Sequence, residues 1–243
     1  MIVSISTGSV RHAAGSVLES VHFIEDNFHG LINGVELFFW SLKDFEDFEL
    51  DSKARDFLQS LEFNTMHAPI KEIEYGKNQA TAKTLEKIER IGKEVGIQKV
   101  VFHPNHIKYF QALLGKGFRT CIENLADGET KKGWQYPSEF KNFFEKWPQF
   151  GFCFDVNHGM ANGAKPAEFI SMLGRKIEYI HLNATAKAGN ADHNLLVESE
   201  KQVIEEIKPV FKLNRPMVME VDLEKEKIPL IKKEVDFIRQ FVK

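Results

Sequence analysis

The chain has 243 residues and a formal net charge of −3, from 32 Lys plus Arg against 35 Asp plus Glu. Its 43% hydrophobic content and 21 Phe exclude intrinsic disorder. Two cysteines, Cys121 and Cys153, exclude a disulfide scaffold, and no charge-free apolar run of about 18 residues predicts a membrane span.

The N-terminal MIVSISTGSV has no basic leader and reads as a strand over 2–6, so no signal peptide is expected. Further strands are predicted over 34–40, 62–67, 99–103, 119–124, 150–156, 177–183 and 216–222. Runs such as VVF, FCF and MVM are apolar at successive positions, as in parallel strands covered on both faces. Between them, helical spacing recurs over 78–96, where Ala82, Leu85, Ile88, Ile91 and Val95 form one stripe. Residues 199–213 and 226–242 repeat the pattern through Val203, Ile207, Val210 and through Ile231, Val235, Ile238, Val242. This alternation predicts one (β/α)8 TIM barrel over residues 1–243, with an open doubly wound sheet as the alternative. No GxGxxG follows the first strand, which argues against dinucleotide binding. Cys121 and Cys153 fall in neighbouring strands as buried free thiols, and a reducing, cytoplasmic location is expected.

From the third strand onward, each strand ends in a residue able to bind metal: His67, His103, Glu123, Asp155, His181 and Glu220 in turn. Barrel enzymes build their sites at the C-terminal strand ends, so the six would share one ring. A single histidine at a strand end is an ordinary core residue. Carboxylates flanked by apolar residues, however, need a cation or hydrogen bonds. The mixed imidazole and carboxylate set suits zinc first, with manganese or iron as alternatives. His158 follows Asp155 at a D-x-x-H spacing, and His193 lies in the loop after the seventh strand beside Asp192. Asp192 reads equally as a turn residue. Glu36 on the second strand is read as a substrate contact, a support behind a metal ligand, or a paired core charge. Trp134 and Tyr136 either wall the substrate pocket or pack locally. Phe38, Phe39 and Trp40 stand near the mouth, although alternate residues of a strand must face the helices.

The order HAP, HP, EN, DxxH, HLN, a late His loop and a final Glu resembles the endonuclease IV and xylose isomerase-like barrel superfamily, from about Gly34 to Asp222. The resemblance implies a (β/α)8 fold and divalent metal. In its endonuclease IV-like branch, His67, His103 and Glu123 would hold one ion. Glu123 would bridge to a second held by Asp155, His181 and Glu220, and His158 and His193 would hold a third. In the isomerase branch one ion would sit on Glu123, Asp155, His181 and Glu220. There the two glutamates would move protons and His158 would contact substrate. HLN and the Asp155-to-Gly163 spacing favour the first branch. Gly34-Val35-Glu36-Leu37 favours the second, and Ala184 and Ala191 stand where the first branch has aspartates. The expected function is metal-assisted phosphoester hydrolysis on two or three ions. The alternative is single-metal sugar or sugar-phosphate isomerisation or epimerisation. Glu123, Glu220 and His158 are the expected catalytic residues, and Glu36, Asn183 and Trp134 the expected substrate contacts. Residues 41–49 carry four acids and one lysine, so a small phosphorylated or sugar-like substrate is expected rather than duplex DNA. Lys131-Lys132 could reach a phosphate of such a substrate.

Overall fold

The structure, a computed structural model, describes residues 1–126, 133–184 and 193–241. In chain order it contains β1 (Val3–Ser6), α1 (Thr7–Ala14), α2 (Val17–Phe28), β2 (Gly34–Phe38), α3 (Leu42–Asp47), α4 (Ser52–Ser60) and β3 (Asn64–His67). Next come α5 (Gln79–Val95), β4 (Ile97–Phe102), β5 (Arg119–Glu123), α6 (Pro137–Lys146), β6 (Gly151–Asp155) and α7 (Val156–Ala161). The order ends with α8 (Pro166–Leu173), β7 (Ile177–Leu182), α9 (Lys201–Phe211), β8 (Met217–Met219) and α10 (Ile231–Gln240). Each strand pairs in parallel with the next and β8 pairs with β1, which makes a closed eight-stranded TIM barrel. Among the described residues no helix is long and apolar enough to cross a membrane.

Three departures from the predicted elements have local causes. Between β4 and β5 the connection holds two 3-10 turns, Pro104–His106 and Phe110–Leu113, in place of an α-helix. Pro104 stands at the first position of the first turn, and Gly115, at φ 68°, closes the segment after the second. The last helix begins later than expected, because Pro229 keeps Lys225–Leu230 in a 3-10 turn and α10 starts at Ile231. In α5, Thr81 and Thr84 are buried with Leu85, Ile88, Ile91 and Val95, whereas Ala82 faces outward. Asn78 caps this helix by accepting a hydrogen bond from Thr81 N at 2.8 Å.

The barrel interior is layered, because alternate strand residues point inward. At its N-terminal end Glu178 pairs with Lys99 at 2.8 Å and with Arg119 at 3.0 Å. Two residues further along their strands come Val101 and Cys121. With Phe63, Cys153, Tyr179 and Val218 they form an apolar cluster separate from the large core. Both cysteines are buried free thiols. Two residues on again stand His103, Glu123, Asp155, His181 and Glu220. Gly34 allows the tight approach of β2 to β3, since a Cβ there would lie 1.6 Å from the Phe63 carbonyl oxygen.

The segment after His193 is held by Glu234 of α10. This carboxylate is 1% exposed and accepts backbone N–H bonds from Leu196 at 2.8 Å and Val197 at 3.0 Å. Burial pushes its pKa up to about 7 despite those two donors, and Glu198 adds to the rise.

Candidate metal centre

Eight side chains meet at the C-terminal mouth of the barrel. Three overlapping groups each bring ligand atoms within 4.8 Å of one another: His67, His103 and Glu123; Glu123, Asp155, His181 and Glu220; and Asp155, His158 and His193. All the metal-ligand candidates read from the sequence are therefore brought together. The third group takes its acid from Asp155; Ala191 and Asp192, where such an acid was sought, lie outside the described residues, as do Lys131 and Lys132.

The two oxygens of Glu123 face different partners. Oε1 lies 2.9 Å from His181 Nδ1, whereas Oε2 lies 3.3 Å from His67 Nε2 and 3.2 Å from His103 Nε2. Glu220 Oε2 is also 2.9 Å from His181 Nδ1. The carboxylate is 1% exposed, and Oε2 makes no well-aligned hydrogen bond. A buried anionic oxygen ringed by imidazole nitrogens without an aligned proton fits a cation position.

The outer nitrogens of the histidines support the same reading. His67 Nδ1 lies 3.0 Å from the Ala68 carbonyl, His158 Nδ1 2.9 Å from the Asn124 carbonyl, and His193 Nδ1 3.0 Å from the Glu220 carbonyl. Donating Nδ1–H to a carbonyl fixes the tautomer and turns the Nε2 lone pair toward the centre, as ring nitrogens of metal ligands do. Asp155 caps α7 by accepting from His158 N at 2.7 Å, which sets the D-x-x-H pair in place.

Charge compensation in the ring is strong. Burial raises the Glu123 carboxyl, but the neighbouring imidazoles, His181 first and then His103 and His67, hold it well below the usual carboxylate range. Glu220 is likewise raised by burial yet brought down to about 2, chiefly by His181. Burial lowers the His181 imidazole, and the surrounding acidic groups lift it well above its ordinary value. Asp155 goes the other way, raised by burial. The ring therefore keeps three carboxylates close together and uses histidine charge to balance them.

Three expected substrate contacts lie elsewhere. Glu36 is fully buried beneath His181, because its strand position is one layer deeper than the ring. Asn183 is fully buried and donates from Nδ2 to Asp155 Oδ2 at 3.1 Å, so it orients that carboxylate. Trp134, at φ 71°, packs its ring on Phe110, Phe140 and Phe143 with centroids 5.3–6.1 Å apart, and serves local packing. The mouth itself is a cavity of about 520 Å³ lined by His67, His103, Glu123, His158, His193 and Glu220 below, and by Arg11, His12, Phe38, Trp40 and Ile70 above. Phe39 faces the helices, in contact with Phe45 and Phe48. Sequence reading missed Arg11 and His12, which follow β1 and carry no motif. Asn124, read from sequence only as part of the EN motif, bridges with its side chain to the Asp155 backbone N and O at 2.9 and 2.7 Å.

These features define a TIM barrel whose mouth carries a histidine–carboxylate ring able to hold divalent ions. No family model and no curated protein matches the sequence. Solved structures do. Endonuclease IV from Thermus thermophilus is 16% identical at TM-score 0.67, covering 100% of this chain and 99% of that one. D-allulose 3-epimerase from Methylomonas sp. is 14% identical at TM-score 0.73, covering 99% and 96%. A second Thermus thermophilus protein, soaked with ZnCl2, is 18% identical at TM-score 0.63, covering 97% and 98%. The fold is thus shared with endonuclease IV and with sugar epimerases, the superfamily that the sequence motifs resemble.

Proposed function

We propose that this chain is a metal-dependent enzyme that hydrolyses phosphoesters of small molecules on two or three divalent ions, zinc first among them. The observation that carries the reading is the split geometry of Glu123, with one oxygen in the His67–His103 group and the other in the His181–Glu220 group. A one-ion site has no use for His67 and His103. Ions held by these groups would supply Lewis-acid activation of a water molecule and of the phosphoryl oxygens. In the hydrolysis a water oxygen bonds to phosphorus, the ester P–O bond breaks, and the leaving oxygen takes up a proton. Glu123 bridges the first two groups and offsets their charge. Glu220, held at about 2, stays anionic through the working pH range and serves as a ligand. His158 and His193, with ring centroids 5.4 Å apart on the far side, orient the phosphate or the leaving group. The aromatic rim of Phe38 and Trp40 suits a sugar or other small ring more than a duplex, and the fold similarity to a zinc-soaked protein and to endonuclease IV supports the choice of chemistry.

The alternative is epimerisation or isomerisation of a sugar on one ion. It is favoured by the self-sufficient group Glu123, Asp155, His181 and Glu220, and by the similarity to D-allulose 3-epimerase. Elemental analysis of protein purified without chelator, joined to a panel of small phosphoesters and ketoses, separates the two. Two or more ions per chain with phosphate release supports hydrolysis. One ion with ketose interconversion overturns it.

A further inference from the structure

Glu36 lies outside all three ligand groups, yet it sits directly beneath one ligand. Its side chain is 0% exposed, and so are those of its three neighbours Thr65, Tyr179 and His181. Thr65 Oγ1 donates to Glu36 Oε2 at 2.9 Å, and the Tyr179 hydroxyl donates to the same oxygen at 3.2 Å. His181 Nε2 lies 3.0 Å from Oε1 and 3.2 Å from Oε2. Among the described residues His181 is the only ion-pair partner of Glu36. The three aligned contacts converge on Oε2 from two further strands of the barrel wall, whereas Oε1 lies against His181 Nε2 without an aligned hydrogen bond.

The consequence falls on His181. Its other nitrogen, Nδ1, lies 2.9 Å from both Glu123 Oε1 and Glu220 Oε2, inside the four-residue group. We infer that Glu36 is the positioning residue of the central ion site: it holds the proton of His181 on Nε2, so that Nδ1 offers its lone pair upward between Glu123 and Glu220. Thr65 and Tyr179 fix Glu36 in turn. An imidazole donating to a carboxylate is a stronger and better-oriented ligand than a free one. This inference rests on the metal-binding part of the proposed function and is indifferent to the reaction catalysed.

The test measures binding of ions in solution, by calorimetry and by the visible absorption of Co2+ titrated into chelator-treated protein. Glu36→Gln is expected to bind the central ion 10–100-fold more weakly, the range seen when the partner behind a histidine ligand is removed. The ion of His67 and His103 should change less. In a His181→Ala background the same Glu36→Gln change should have no further effect, because its influence passes through that ring. Should Glu36→Gln fail to fold, Tyr179→Phe removes one donor at nearly constant volume and should give a smaller loss at the same site. Unchanged affinity in the folded variants overturns the inference while leaving the metal site standing. So does a loss of equal size in the His181→Ala background, since that marks general disruption of the barrel interior. Failure of the unsubstituted chain to bind any divalent ion overturns both this inference and the function it rests on.

Discussion

Glu234 makes a quantitative prediction about stability. Its carboxylate is 1% exposed and ionises at about 7, against about 4.5 in an unfolded chain. Below pH 4.5 the residue is protonated in both states, so folding carries no penalty. Between 4.5 and 7 the unfolded chain releases this proton and the folded chain keeps it, so stability falls as pH rises. Above 7 both states are ionised and the loss is complete, at about 3 kcal/mol from the spacing of the two pKa values. Little of this is screened, because the group is sealed under the segment that follows His193. Glu234→Gln removes the titration while keeping the shape and one acceptor for the Leu196 and Val197 amides. The assay is urea unfolding of both proteins from pH 4 to 8.5 in a chelator, so that ion uptake does not contribute and the titration of the ring is common to both. The stability of Glu234→Gln relative to the unsubstituted chain should rise by about 3 kcal/mol between pH 4.5 and 7 and then level off. A difference that stays flat across that window would refute the reasoning and show that the two amides keep Glu234 ionised.

Two further outcomes concern the ring and a third the substrate. His67→Ala combined with His103→Ala should lose one ion per chain, read by elemental analysis, and keep the ion at Asp155, His181 and Glu220; loss of every ion would mean the groups do not fill independently. Glu123→Gln should cost more bound metal and more activity than His193→Ala, because Glu123 belongs to two groups and His193 to one; equal losses would contradict the bridge. An abasic-site DNA duplex should be incised poorly at low salt and not at all at moderate salt. α3, which follows β2, carries three acids against one lysine, and among the described residues Arg11 is the one Lys or Arg lining the mouth. Robust cleavage at moderate salt would make duplex DNA the substrate.

The fold was legible because parallel strands buried on both faces leave continuous apolar runs, and the order of those runs is the order of the barrel wall. The ring was legible for a related reason. A strand's last residue sits at the mouth whatever its neighbours do, so His67, Glu123 and Asp155 could be placed from strand ends alone. Depth within the barrel was harder to read. Glu36 is two residues short of Phe38, the last residue of its strand, and a step of two along a strand is one layer down, which takes a side chain from the cavity to the packing beneath it. The same alternation, applied backwards from His67 and His181, leads to Thr65 and Tyr179. Trp134 could not be assigned from sequence, since an aromatic residue in a loop next to a Phe-rich helix satisfies a pocket wall and a packing cluster equally. The acid of the third group was sought beside His193 in sequence, but Asp155 supplies it from the neighbouring strand β6.

The ion cluster of Lys99, Arg119 and Glu178 has a bearing on how the hydrolysis proposed above would turn over. Together with the apolar layer above it, it fills the barrel beneath the ring, so that among the described residues the cavity opens only at the mouth. Whatever enters past Phe38 and Trp40 must leave the same way. Product and incoming substrate then compete for a single passage, and product inhibition should be competitive. Changes that widen the rim would speed departure and arrival together, leaving the chemistry at the base untouched.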